Sequence, residues 1–269
     1  MKNNENNEIH ITDDNDGFFN FFEKNRKFLL AFVITIVVLL VGVIAVLLVR
    51  DFMQKDAIAR LDILIERYDG IKGSLAAQVE ETDGTEAEAG GIAEAGGIAE
   101  AGGIRENEIS ENAETAAETS GDDIQAVLDD LRALGKSASG YPAARAWFMA
   151  ANIHHERREW QQAQEAWLLS AKKGASTHLA PVSLYNAAVA AELSGDTDLA
   201  LSNYQKSLSF TDFPAAAHAQ FSVGRLEETR GDNEAAIAAY RAVIEKWPSD
   251  IGWTNLAHSR IIALELNGQ

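Results

Sequence analysis

The sequence contains no cysteine, so neither a disulfide framework nor thiolate chemistry is available, and this criterion leaves the compartment open. Positive charge is scarce. There are 23 Lys and Arg against 41 Asp and Glu, a formal charge of -18. Phosphate binding needs a basic footprint, which argues against a nucleic-acid partner. No phosphate-binding glycine loop, G-x-S-x-G elbow or H-E-x-x-H pattern occurs in the chain. The resulting expectation is a protein that is not an enzyme, with no cofactor, no metal and no small-molecule substrate. His154-His155 does not alter it, because adjacent helical residues point about 100° apart and cannot chelate together. Asp129-Asp130 and Glu227-Glu228 read as solvated helix faces rather than acid–base pairs. Sustained apolar–polar alternation is also missing, so no strands are expected.

The negative charge is concentrated. From Glu80 to Asp123 fourteen acidic residues face Arg105 alone. This stretch is rich in Ala, Glu, Gly and Thr and holds AEAGGI three times in tandem, Ala87 to Ile104. Each Gly-Gly costs a helix about 2 kcal/mol relative to Ala-Ala, and one Ile in six residues buries too little to offset chain entropy. Residues 79–121 are therefore expected to be a disordered acidic linker.

Residues 28–49 (FLLAFVITIVVLLVGVIAVLLV) carry no charge. As a helix this run is about 33 Å long, enough to cross a bilayer core. It is longer than a signal-peptide core and no small-residue cleavage site follows it, so it predicts an uncleaved single-pass transmembrane helix behind a polar tail, residues 1–27. Phe18, Phe19, Phe21 and Phe22 precede the basic residues as an interfacial anchor would. Lys24, Arg26 and Lys27 precede the span and Arg50, Lys55 and Arg60 follow it. The tighter leading cluster favours a cytoplasmic N-terminus in the cell (inner) membrane, with the C-terminal part extracytoplasmic, in the periplasm. Ile58, Leu61, Ile63, Leu64, Ile65 and Tyr68 then recur at helical spacing, so residues 50–78 predict an amphipathic juxtamembrane helix whose stripe needs a partner, either the C-terminal domain or another chain.

From residue 122 to residue 267 the pattern is helix after helix. Asp122-Asp123 opens one, with Ile124, Val127, Leu128, Leu131 and Leu134 on its apolar face and Gly135 expected to stop it. Pro181 and Pro214 are expected at helix starts, and Lys172-Lys173-Gly174 and Gly195 at helix ends. Three copies of one pattern stand out: Ala163-x-x-x-Trp167, Ala200-x-x-x-Tyr204 and Ala236-x-x-x-Tyr240, spaced by 37 and then 36 residues. Gly195-Asp196 and Gly231-Asp232 precede the last two copies, while Arg158-Glu159 stands before the first. A small residue lets two helices approach, and the aromatic one turn on fills the gap beside it.

This region resembles a tetratricopeptide repeat array, whose 34-residue helix pair carries W-x2-L-G-x2-Y, then A-x3-F, then P. Trp147, Ala150, Ala151 and His154 stand at the first-helix positions of repeat one, Leu184, Ala187, Ala188 and Ala191 in repeat two, and Val223 and Gly224 in repeat three, which alone keeps the Pro, as Pro248. The surplus over 34 residues is expected in loops around Ser176 and Thr211, with a final helix containing Trp253, Leu256, Ile261 and Leu264 as an end cap. An N-terminal anchor followed by such an array is also similar in layout to the ancillary subunit of the bacterial Sec translocon. The expected fold is thus all-α: a transmembrane helix, a linker, and about three helical-hairpin repeats plus end helices.

In this family the first helix of each repeat lines a concave groove. The resemblance places Phe148, Tyr185 and Phe221 at one groove position, with Arg145, Asn152, His155, Val189, Glu192, His218, Arg225 and Glu228 at neighbouring ones. The competing reading makes the three aromatics half-buried core residues. The expected function is a membrane-anchored scaffold or chaperone-like adaptor binding proteins or peptide segments at the membrane surface. The alternative is a structural subunit fixed in an envelope or secretion complex.

Overall fold

The computed structural model describes residues 25–89 and 121–267, with side chains over 25–77 and 121–266. The described residues form nine helices and no strand: α1 (Arg26–Ala89), α2 (residues 121–137), α3 (Gly140–Glu156), α4 (Trp160–Lys173), α5 (Leu179–Ser194), α6 (Thr197–Ser207), α7 (Ala216–Thr229), α8 (Asn233–Lys246) and α9 (Ile251–Asn267). The chain divides into two compact units, residues 1–53 and 54–269. In the first, α1 contains one run long and apolar enough to cross a membrane, and none of it is buried by protein. The polar tail up to residue 24, with its four phenylalanines, lies outside the described residues, as do most of the AEAGGI repeats, while Arg26 and Lys27 belong to α1.

In the second unit, α3/α4, α5/α6 and α7/α8 are helix pairs closed by short turns, each helix packing on the next, with α9 against α8. The Ala-x-x-x-aromatic pattern lies in the core: Ala163, Ala200, Ala236 and Tyr240 are fully buried, and Trp167 and Tyr204 nearly so. Gly224 sits under its partner aromatic; a Cβ added there would come within 2.6 Å of the Tyr240 ring. A buried hydroxyl link joins three helices, Ser170 Oγ donating to the Ala144 carbonyl at 2.8 Å and lying 2.8 Å from Ser183 Oγ.

The turns explain the Gly-Asp dipeptides. Gly195 and Gly231 adopt φ of +85° and +82°, left-handed conformations open to glycine at little cost. Asp196 and Asp232 then cap α6 and α8, accepting from the backbone N–H of Leu199 at 3.0 Å and of Ala235 at 2.9 Å. The first turn makes the same bend without glycine. Arg158 is held at φ +59°, and Glu159, instead of capping, accepts from His154 Nδ1 on α3. A left-handed arginine costs about 1 kcal/mol that glycine would not. Arg158→Gly is accordingly expected to raise unfolding stability by roughly that amount, read as a shift in the urea midpoint at unchanged slope.

One expectation needs correction. Gly135 does not stop α2, which continues to residue 137. It lies instead beneath Trp147, whose ring would be 2.5 Å from an added Cβ, so its smallness serves helix packing. Pro181 lies in the first turn of α5, as its third residue, and Pro214 stands two positions before α7, both at helix starts as expected. Gly174 and Gly195 cap α4 and α5 as expected.

The larger difference concerns the juxtamembrane helix. Ala57, Leu61 and Tyr68 of α1 are buried in one cluster with Val127, Leu128, Leu131 and Leu134 of α2 and Ala146, Ala150 and Ile153 of α3. The apolar stripe therefore finds its partner in the helical domain of its own chain. Tyr68 Oη and Lys72 Nζ both donate to Glu156 at the end of α3, each at 2.8 Å, and Arg67 faces Asp123 and Asp130 of α2. Leu61-x-x-Leu64-Ile65-x-x-Tyr68 reproduces the W-x2-L-G-x2-Y spacing with Leu at the Trp position, and Val127-x-x-x-Leu131 lies 36 residues before Ala163-x-x-x-Trp167. Thus α1 and α2 pack as a further helix pair at the start of the array. The backbone of α1 runs on to Ala89, one residue before the first Gly-Gly. Residues 90–120 lie outside the described residues and, in the sequence, join the two members of this pair.

Candidate functional site: the first-helix face of the array

The sequence places eleven residues on the faces of α3, α5 and α7. All are half-buried except Arg225, which is exposed. Phe148 packs against the cluster of Trp147, Trp167 and Ala187. Tyr185 and Val189 pack against the cluster containing Tyr204 and Phe213, and Phe221 against that of Tyr240 and Val243. The three aromatics thus have one side in the core, as the competing reading held, and keep partial exposure on the other.

Two of these residues, His218 and Phe221, are joined by one side chain that the sequence reading had placed only in the end cap. Trp253 of α9 stacks on His218 with ring centroids 4.0 Å apart and planes at 16°, and meets Phe221 at 5.3 Å. Tyr185 lies 5.4 Å from His218 in ring centroids and its hydroxyl is 2.7 Å from His218 Nδ1. Tyr185, His218, Trp253 and Phe221 form one aromatic surface over α5, α7 and α9. Phe148 stands apart from it. Burial, with the Arg225 charge nearby, holds the His218 pKa below its ordinary value, so this ring is neutral at pH 7.

A second feature recurs from repeat to repeat. Tyr204 Oη donates to Glu192 Oε2 at 3.0 Å, and Arg225 of the next first helix donates to both Glu192 oxygens, 2.7 Å to Oε2. One repeat on, Tyr240 Oη donates to Glu228 at 2.9 Å and Arg260 of α9 donates to the same carboxylate, 3.1 Å from Nε. Tyr204 and Tyr240 thus each fix a first-helix acid, and the acid fixes an arginine on the following helix. The first repeat has a ring contact instead: His155 packs on Trp160 and Trp167 at 5.1 and 5.5 Å. With Glu192, Glu228 and both arginines committed to one another, the face is left aromatic and nearly charge-balanced. Asn152 and Val189 stand where Arg225 does, and Arg145 lies half-buried on α3.

These hydrogen bonds imply an alkaline limit. Burial and the bond to Glu228 push the Tyr240 pKa to about 12, and burial with the Glu192 charge pushes Tyr204 higher still. Both folded values lie above the unfolded value near 10. The stabilisation is therefore complete below pH 10 and is lost as pH rises through the folded values. Helix signal in a pH titration is expected to hold to about pH 10 and then fall together with tyrosinate appearance; full tyrosine ionisation near pH 10 with the helices intact would contradict this.

Residues 218–250, from α7 to the turn after α8, match the family model of the tetratricopeptide repeat. The chain is also 34% identical over 169 residues to a TPR repeat-containing protein of Treponema pallidum (strain Nichols), an alignment covering 61% of this chain and 70% of that protein. The chain belongs to the tetratricopeptide repeat family. Its helix pairs, small-residue contacts and closing aromatics are those of tetratricopeptide units, a fold that serves protein–protein interaction, typically as a non-enzymatic scaffold. Among the described residues no group of three His, Asp or Glu is placed to hold a metal ion. Sequence reasoning missed Trp253 as part of this face because the step from His218 is 35 residues, one short of the preceding interval. The signal was present in the aromatic residue two positions into α9.

Proposed function

We propose that this protein is a membrane-anchored adaptor whose tetratricopeptide groove holds an apolar peptide segment of another protein at the membrane surface. The observation that carries the proposal is the composition of α1: one helix holds both the unburied apolar run and the core side chains Leu61 and Tyr68 of the array. No stretch of linker composition separates the two, so a partner in the same membrane meets the groove at high effective concentration and weak affinity suffices. The aromatic surface, with its acids already paired to arginines, favours an extended segment with apolar side chains over a charged one. The cluster Lys24, Arg26 and Lys27 favours a cytoplasmic N-terminus and a repeat domain on the outer side of the inner membrane.

The test is photo-crosslinking in intact membranes from Asn152, Val189 and His218. Adducts with one or more other proteins are expected from these positions and not from exposed Gln205 on α6. Equal yields from all positions would reject the groove. Several client chains at low yield indicate an adaptor; a single chain in fixed proportion would instead indicate a permanent subunit. A reporter fused after Gln269 and active only in the cytoplasm would reverse the orientation.

A further inference from the structure

The end helix α9 is apolar on both sides. Ala257, Ile261 and Leu264 are buried against α8, yet Ile251, Leu256, Ile262 and Leu266 remain 70%, 48%, 58% and 68% exposed. The step of 35 residues that carries Arg225 to Arg260 carries Gly224 to Ser259. In the preceding repeat Gly224 lies where the first helix meets its own second helix, under Tyr240, and Ala188 and Ala151 hold the same place in the earlier pairs. Thus α9 presents a small residue, flanked by aliphatic ones, at the place where each earlier first helix receives a second helix.

We propose that this place is taken by α9 of a second copy of the same chain, the two helices packing antiparallel about a two-fold axis at Ser259. The sequence of the face is self-complementary about that residue. Leu256 and Ile262 lie three positions to either side of Ser259, and Gly252 and Leu266 seven positions to either side. In an antiparallel pair centred on Ser259, Leu256 of one copy therefore meets Ile262 of the other, and Leu266 fills the space over Gly252. The seam carries no Asp, Glu, Lys or Arg, which matters for two chains of formal charge -18 each. The flanking charges are satisfied within their own copy, Arg260 by Glu228 and Glu265 by Arg241. At these exposures the aliphatic side chains offer about 400 to 500 Å², roughly half of one partner's share in a standard interface, so the pairing is weak and concentration-dependent.

The absence of native cysteine makes the test clean. Full-length chain carrying Ser259→Cys, concentrated in mild detergent, is expected to form a disulfide dimer under mild oxidation about tenfold faster than chain carrying Gln205→Cys, because only Ser259 meets its own copy within bridging distance. Leu256→Cys alone places the two thiols about 9 Å apart along the helices and should couple poorly. Mixed with Ile262→Cys it should couple as well as Ser259→Cys. Adding Ile262→Glu, an exposed change that leaves the fold intact, should abolish the Ser259→Cys dimer. Coupling of Ser259→Cys no faster than the Gln205→Cys control would overturn the proposal. So would equal coupling of Leu256→Cys alone and in the mixture, or, in native membranes, adducts containing another protein and no second copy.

Discussion

Replacing Tyr240 by Ala is expected to lower unfolding stability by about 3 to 5 kcal/mol. The side chain is fully buried between α7, α8 and α9. The space it would leave cannot close from below, because the residue under the ring is Gly224, with no side chain to move in. The loss also removes the donor that helps hold Glu228 against Arg260. Tyr240→Phe separates the two contributions: keeping the ring and losing the hydroxyl should cost only about 1 kcal/mol. Urea unfolding of the full chain in detergent reads both, and an Ala variant within 1 kcal/mol of the parent would mean that the repeat contact is not where the packing energy lies.

The second large effect is expected far from the recognisable repeats. Leu61→Ala should cost about 2 to 5 kcal/mol, because Leu61 is fully buried among side chains of α2 and α3. Ile63, two residues along the same helix and 64% exposed, should tolerate the same change within about 0.5 kcal/mol. A helix that served only to carry the chain away from a membrane would respond equally to the two. The contrast between them, measured by the same unfolding experiment, therefore reports whether residues 54–77 are part of the array.

Much of this was readable from the chain. The spacing of the Ala-x-x-x-aromatic copies located every pair from α3 to α8, because those residues must recur wherever two helices touch. Gly195-Asp196 and Gly231-Asp232 announced their turns for a local reason, glycine for the left-handed residue and aspartate for the cap. Other features were hidden by substitution or insertion. Arg158 makes the same left-handed bend without the residue type that signals it. Gly135 read as a helix stop because a glycine's two uses, ending a helix and admitting a neighbour, look alike until Trp147 is in place. The helix pair formed by α1 and α2 escaped because the acidic stretch breaks the period, although Leu61-x-x-Leu64-Ile65-x-x-Tyr68 keeps the internal spacing. On the candidate face, period alone aligned Phe148, Tyr185 and Phe221, but it could not tell that Glu192 and Glu228 are occupied by arginines from the next repeat. Those partners are close in space and more than thirty residues away in sequence.

The central claim is that the helix bearing the apolar run is also the first helix of the tetratricopeptide array. Native-state hydrogen exchange on the Leu61→Ala variant tests it most directly. Amides of residues 127–134 in α2 are expected to lose protection together with those of residues 57–75 in α1, while α8 is affected least. If the loss is confined to α1 and α2 exchanges as in the parent chain, α1 is not a member of the array and the account fails.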